Sequence, residues 1–112
     1  MNHRMVRISQ TLFLACAFTL VMSATARADD SAALFKSKCA ACHGADGKGD
    51  TAMGKTFKIR DMASGDVQKQ TDAELTTITT AGKGKMPAYK DKLTAEQIKG
   101  LVGYIRDLAK KK

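Results

Sequence analysis

Tryptophan is absent from this 112-residue chain, proline occurs once, as Pro87, and aromatic side chains make up only 5% of the residues. So thin and scattered an aromatic content excludes a surface on which successive bases stack, and the chain is read as having no nucleic-acid partner. Nor does any stretch alternate apolar and polar residues as a half-buried strand does, so no sheet is expected. Histidine is almost as scarce, at His3 and His43. Long apolar runs are missing too. Thr11 to Met22 is apolar for about a dozen residues, or ~18 Å of helix at 1.5 Å per residue, against the ~30 Å of a bilayer's hydrocarbon core.

That short run has a different reading. Arg4 and Arg7 precede it without an acid, and Ala26-Arg27-Ala28 follows it as a small-x-small site. Together these features form a secretory signal peptide over 1–28, with 29–112 as the exported domain. A membrane anchor is the alternative that this length disfavours. A lipid anchor at Cys16 is disfavoured because Ala17, Phe18, Leu20 and Val21 continue the apolar run where a polar tether should begin. Cleavage lowers the formal charge from +8 to +5, since Arg4, Arg7 and Arg27 leave and no acid does. The exported domain keeps Cys39, Cys42 and His43 as its strong metal donors, one short of the four that a closed zinc site requires.

Those three donors fall together in Cys39-Ala40-Ala41-Cys42-His43. In a C-x-x-C-H run the two thiols can add across the vinyl groups of a haem while the adjacent imidazole reaches the iron. Helical residues three and four apart lie roughly 5–6 Å between Cβ atoms, so all three meet one ring from one side. A disulfide is the usual fate of two exported cysteines, but a two-residue loop strains it and leaves His43 without a role. A thioredoxin-type pair needs a neighbouring strand, which the pattern does not supply. Size favours a cofactor as well: a domain this small is marginal on a side-chain core alone, and a bound group adds interior.

The remaining elements read as helices. Ser31 to Cys42 forms the first, with Asp29, Asp30 or Ser31 as N-cap and Phe35 facing the core. Gly44 to Asp50 is a glycine loop. Phe57, Ile59 and Met62 are expected to pack inward, and Asp61, Ser64 or Asp66 to cap a short turn. Thr71-Asp72-Ala73-Glu74 is a capping box opening a helix to about Thr80, with Leu75 and Ile78 inward and Gly82 as its stop. Gly82 to Lys92 is a loop. Thr94-Ala95-Glu96-Gln97 opens the last helix, to about Ala109, whose stripe of Ile98, Leu101, Val102, Ile105 and Leu108 faces the first helix. Gly100 and Gly103 weaken this helix unless something approaches closely. The fold class is all-α.

A haem held by His43 has one axial position left, and the exported domain offers Met53, Met62 and Met86 for it. Met53 follows the motif too closely to cross the ring with ease, and Met62 reads as core filler. Met86 sits in an exposed glycine-flanked loop fixed by Pro87, where packing explains it poorly. It is the favoured ligand, with Met62 the remaining alternative.

The segments Cys39-Ala-Ala-Cys-His43-Gly44, Gly84-Lys85-Met86-Pro87-Ala88-Tyr89 and Leu101-Val102-Gly103-Tyr104-Ile105-Arg106, in that order over Ser31 to Leu108, resemble the class I c-type cytochromes of the small single-haem bacterial kind. The resemblance implies a cytochrome c-like fold, three to four short helices wrapped around one covalently bound haem c. It implies thioether attachment at Cys39 and Cys42, axial ligation by His43 and Met86, and Phe35 packed against Leu101 and Tyr104. Many relatives have a proline after the glycine loop whose neighbouring carbonyl orients the proximal imidazole. This chain has none there, so the acceptor for the His43 ring N–H is unassigned.

The function expected is that of an exported, periplasmic, monomeric one-electron carrier without stable membrane insertion, not an enzyme, docking to a reductase and to an oxidase or dehydrogenase. Lys83, Lys85, Lys90 and Lys92 bracket Met86, either as a basic collar steering acidic partners or as a solvated loop. The alternatives are a haem-based sensor or peroxidase-like enzyme with an open distal position, and an electron-accepting subunit of a periplasmic dehydrogenase. The peroxidase reading lacks a distal His/Arg pair.

Overall fold

The computed structural model describes residues 27–111, so the signal segment up to residue 26 lies outside the described residues. Among them the chain is helical, with α1 over 27–38, α2 Ala40–His43, α3 Ala52–Thr56, α4 Gly65–Gln68, α5 Asp72–Ala81 and α6 Ala95–Lys110. Three of these are long and three are single turns. Among the described residues the one piece of extended pairing is an isolated antiparallel bridge between Lys83 and Met86. No helix among the described residues is long and apolar enough to cross a membrane.

α6 organises the core because its apolar stripe is continuous: Ile98, Leu101, Val102, Ile105 and Leu108 are all buried. Phe35 of α1 is the most deeply buried large side chain, at 1% exposure, and its ring centroid lies 4.9 Å from that of Tyr104. Burial of a side chain that size contributes about 1.5–3 kcal/mol. Met62, Leu75 and Leu93 complete the core.

Both capping boxes form as their spelling requires. The Thr71 hydroxyl accepts from Glu74 N–H and the Glu74 carboxylate from Thr71 N–H, and Thr94 with Gln97 repeats the arrangement. Gly82 ends α5 at φ 77°, and a Cβ there would lie 2.7 Å from the Met86 carbonyl oxygen, so only glycine lets the following loop fold back this tightly. Gly100 is explained by close approach, its missing Cβ facing the Ser31 hydroxyl of α1 at 2.5 Å, whereas nothing lies within 4 Å of Gly103.

Four local expectations are corrected. The first helix is already under way at residue 27, so none of Asp29, Asp30 and Ser31 caps it; the Ser31 hydroxyl instead donates to the Arg27 carbonyl. The same helix does not run unbroken to Cys42, because Cys39 leaves the ladder as a turn between α1 and α2. Phe57 is 36% exposed instead of packing inward, since it stands at the end of α3 beside Lys58, whose φ of 53° turns the chain. On α5 the buried partner of Leu75 is Thr79, with Ile78 half-buried; the Thr79 hydroxyl is accommodated by donating to the Leu75 carbonyl.

Candidate functional site

The C-x-x-C-H segment is held as a single turn of helix by contacts from the residues that follow it. Gly49 N–H donates to the His43 carbonyl at 2.7 Å, and the Thr51 hydroxyl donates to the Cys42 carbonyl at 2.7 Å while accepting from Gly54 N–H at 2.8 Å. Gly54 is buried against this turn: a Cβ there would overlap the Gly49 carbonyl oxygen and come within 2.9 Å of that of Cys42. The glycine loop thus folds α3 directly under the motif. Thr51 and Gly54 were not singled out by the sequence, because a lone threonine before a five-residue helix has no capping-box partner to announce it.

A cavity of about 240 Å³ opens over that turn, lined by Cys39, Cys42 and His43 on one arm and by Met86, Pro87 and Tyr89 on another. Phe57 and Ile59 form an apolar third wall, and Lys38, Lys83 and Lys85 reach it from the exposed side. The four residues expected as ligands therefore share one concavity. Met53, 46% exposed, and core-buried Met62 do not line it. Of the expected basic collar, Lys83 and Lys85 are at the cavity and Lys90 and Lys92 are not; Lys92 lies over the Tyr89 ring at 5.5 Å. Lys38 joins the rim from α1, a neighbour that sequence order could not reveal.

The electrostatics suit a neutral donor set. Burial, with the neighbouring Cys42 adding to it, pushes the Cys39 thiol up to about 11, so it is protonated at neutral pH and unlike the depressed thiols of redox pairs. Burial also lowers His43 below its ordinary value, keeping the imidazole neutral. Its Nδ1 is buried without a hydrogen-bond partner, and the residue lines the cavity. Both cysteines are free. Two free thiols, a neutral imidazole and a thioether around an apolar space fit a haem, since thiols can form thioethers and an imidazole and a thioether can ligate iron.

Comparison with known proteins agrees over the same region. The family model described as cytochrome c oxidase, cbb3-type, subunit III matches residues 26–105. Cytochrome c6 of Leptolyngbya boryana is 38% identical over 70% of this chain and 88% of its own length. Cytochrome c6 of Rippkaea orientalis is 37% identical over 90% of this chain and 92% of its own. Among solved structures, the KustC0563 c-type cytochrome superposes with a TM-score of 0.65 at 31% identity, covering 70% of this chain and 95% of that one. Helical architecture, ligand-rich cavity and these likenesses together define a haem-c protein. The chain belongs to the small class I c-type cytochromes, electron-transfer proteins and not enzymes, with a single covalently bound haem c and its iron.

Proposed function

We propose that Cys39 and Cys42 form the two thioether bonds, that His43 Nε2 and the Met86 sulfur are the axial ligands, and that residues 29–112 act as an exported periplasmic carrier. The observation that supports this most is the shared cavity, which gathers both halves of the donor set while leaving Met53 and Met62 elsewhere. Bound there, haem iron supplies reversible one-electron chemistry. The neutral His43 ring offers its lone pair without first losing a proton. The soft Met86 thioether favours the ferrous state and so raises the potential. Ile59, Phe57, Pro87 and Tyr89 wall the space against water. With His43 and Met86 both holding the group, no position would be left for a substrate, which separates this reading from a sensor or peroxidase.

The partners are redox proteins, and the finer reading is a reductase on one side and an oxidase or dehydrogenase on the other. Lys38, Lys83 and Lys85 at the rim fit acidic docking faces on both.

Expression with the signal segment in a host that matures c-type haem tests the whole assignment. The expected product has a haemochrome spectrum of a bis-thioether haem and an intact mass lacking residues 1–28 and gaining one haem. A mass lower by two hydrogens alone restores the disulfide. In the ferric protein, Met86→Ala should abolish the sulfur-to-iron charge-transfer band and lower the potential by at least about 59 mV, a tenfold shift in a one-electron equilibrium. Met62→Ala should keep the band. Survival of the band in Met86→Ala would move the ligand elsewhere.

A further inference from the structure

The loop that presents Met86 is built almost entirely on its own side of the cavity. Lys83 and Met86 exchange hydrogen bonds at 3.1 and 3.0 Å, closing a tight turn through Gly84 at φ 58°. Tyr89 N–H and Lys90 N–H donate back to the Thr79 and Thr80 carbonyls at the end of α5, and Leu93 N–H donates to the Tyr89 carbonyl. None of these bonds fixes the distance from Met86 to the arm that carries His43.

One hydrogen bond crosses. The Tyr89 hydroxyl donates to the Lys38 carbonyl at 3.1 Å, joining residues 51 apart in sequence. Among the described residues no other hydrogen bond connects the loop 82–92 with the arm 27–60. The acceptor is available for a specific reason. Where α1 breaks at Cys39, Cys42 N–H donates at 3.3 Å to the Cys39 carbonyl, so it does not engage Lys38, whose carbonyl is one of the orphans at a helix end. The break that sets the two cysteines on a separate turn therefore also creates the anchor point for the opposite arm. A second crossing contact, Lys85 Nζ at 5.9 Å from the Phe57 ring centroid, lies between exposed groups and is of the weak kind.

We infer that Tyr89 is a positioning residue for Met86: its hydroxyl, latched to the Lys38 carbonyl, holds the methionine loop closed over the cavity and so sets how readily an external ligand displaces the thioether. The inference rests on Met86 being the distal ligand. Tyr89→Phe isolates the hydroxyl, because phenylalanine keeps the ring that packs on the core and the ring face under Lys92.

The test uses ferric, haem-loaded wild type and Tyr89→Phe, titrated with imidazole while the sulfur-to-iron band is followed. Both proteins should show the band at the outset, and half-displacement in Tyr89→Phe should occur at a roughly 2- to 10-fold lower imidazole concentration, the range expected for one hydrogen bond. Equal imidazole affinity in the two proteins overturns the role of Tyr89, even if the melting temperature falls, since that reports a merely structural contact. A wild type without the band overturns the Met86 assignment itself and this inference with it.

Discussion

Individual side chains in this protein do more than their positions in sequence suggest. Thr51 is the clearest: one hydroxyl caps α3 and grips the Cys42 carbonyl, so it couples the glycine loop to the turn that carries both cysteines. Thr51→Val should lower the stability of the haem-loaded protein by about 1–3 kcal/mol, read from the guanidinium midpoint, and Thr51→Ser should recover most of it. A valine variant no less stable than the wild type would show that the hydroxyl contributes nothing. Tyr89 gives a pH prediction. Its phenol is raised above the ordinary 10.0, first by burial and then by the two cysteine thiols nearby. Thioether formation removes the thiol contribution and leaves burial. A folded-state value above the unfolded one means that the protonated phenol stabilises the fold fully below about pH 10, and that this contribution fades as pH rises through the folded value. Phenolate absorbance of the native haem-loaded protein should accordingly show Tyr89 ionising above pH 10, and stability should decline over the same range. Ionisation of Tyr89 at pH 10 or below would remove this contribution.

At the scale of elements, the arrangement depends on how α6 is fastened to the single turns before α5. Arg106 is the fastening. From α6 its Nη1 donates to the Gln68 carbonyl and Oε1 at 3.0 and 3.2 Å, its Nη2 to the Gln70 carbonyl at 2.5 Å, and its Nε to Asp72 at 3.0 Å. Gln68 in turn donates to the Met62 and Ile105 carbonyls, so the guanidinium orders the whole α4–α5 junction. Asp72 is 75% exposed, and an ion pair to so open a carboxylate adds little; the bonds to backbone carbonyls are the larger part. Arg106→Ala should cost about 1–3 kcal/mol in a urea melt. Arg106→Lys should recover less than half, because an ammonium cannot reproduce the planar fork. A full recovery with lysine would make charge the operative feature. The amphipathic period of α6 and the two capping boxes were readable in advance, since each is written within a few consecutive residues. The break at Cys39 was not, because the pattern of α1 continues smoothly through it and only packing below the turn interrupts the ladder.

For the molecule as a whole, the distribution of charge bears on function more than its sum. Lys38, Lys83 and Lys85 come from two separate segments to one rim, beside the exposed Phe57 and Pro87. An apolar patch ringed by lysines suits a transient complex that forms fast and separates fast. The second-order rate of electron transfer with an acidic partner should fall at least tenfold between low salt and a few hundred millimolar, as screening shortens to within the rim. A flat dependence on ionic strength with the physiological partner would leave the lysines as solvation only. Neutralising Lys38 should weaken the dependence as much as neutralising Lys83, although Lys90, nearer to Met86 in sequence than Lys38, should matter less, because it does not line the cavity.

By itself the sequence determined the all-helical class, the C-x-x-C-H spacing, the caps of α5 and α6, and Met86 as the methionine that packing did not explain. Each is local chemistry: a spacing of thiols, a hydroxyl three residues before a carboxamide or carboxylate, a thioether fixed by its neighbouring proline. Tertiary structure alone decided that Phe57 faces the cavity, that Thr79 and not Ile78 is buried, that Lys38 belongs to the basic rim while Lys90 and Lys92 do not, and that the Tyr89 hydroxyl meets the Lys38 carbonyl across 51 residues. Those outcomes depend on which distant segments meet. A half-buried residue gains or loses its environment through contacts that neither periodicity nor propensity encodes, and a carbonyl becomes an acceptor only when a helix happens to break beside it.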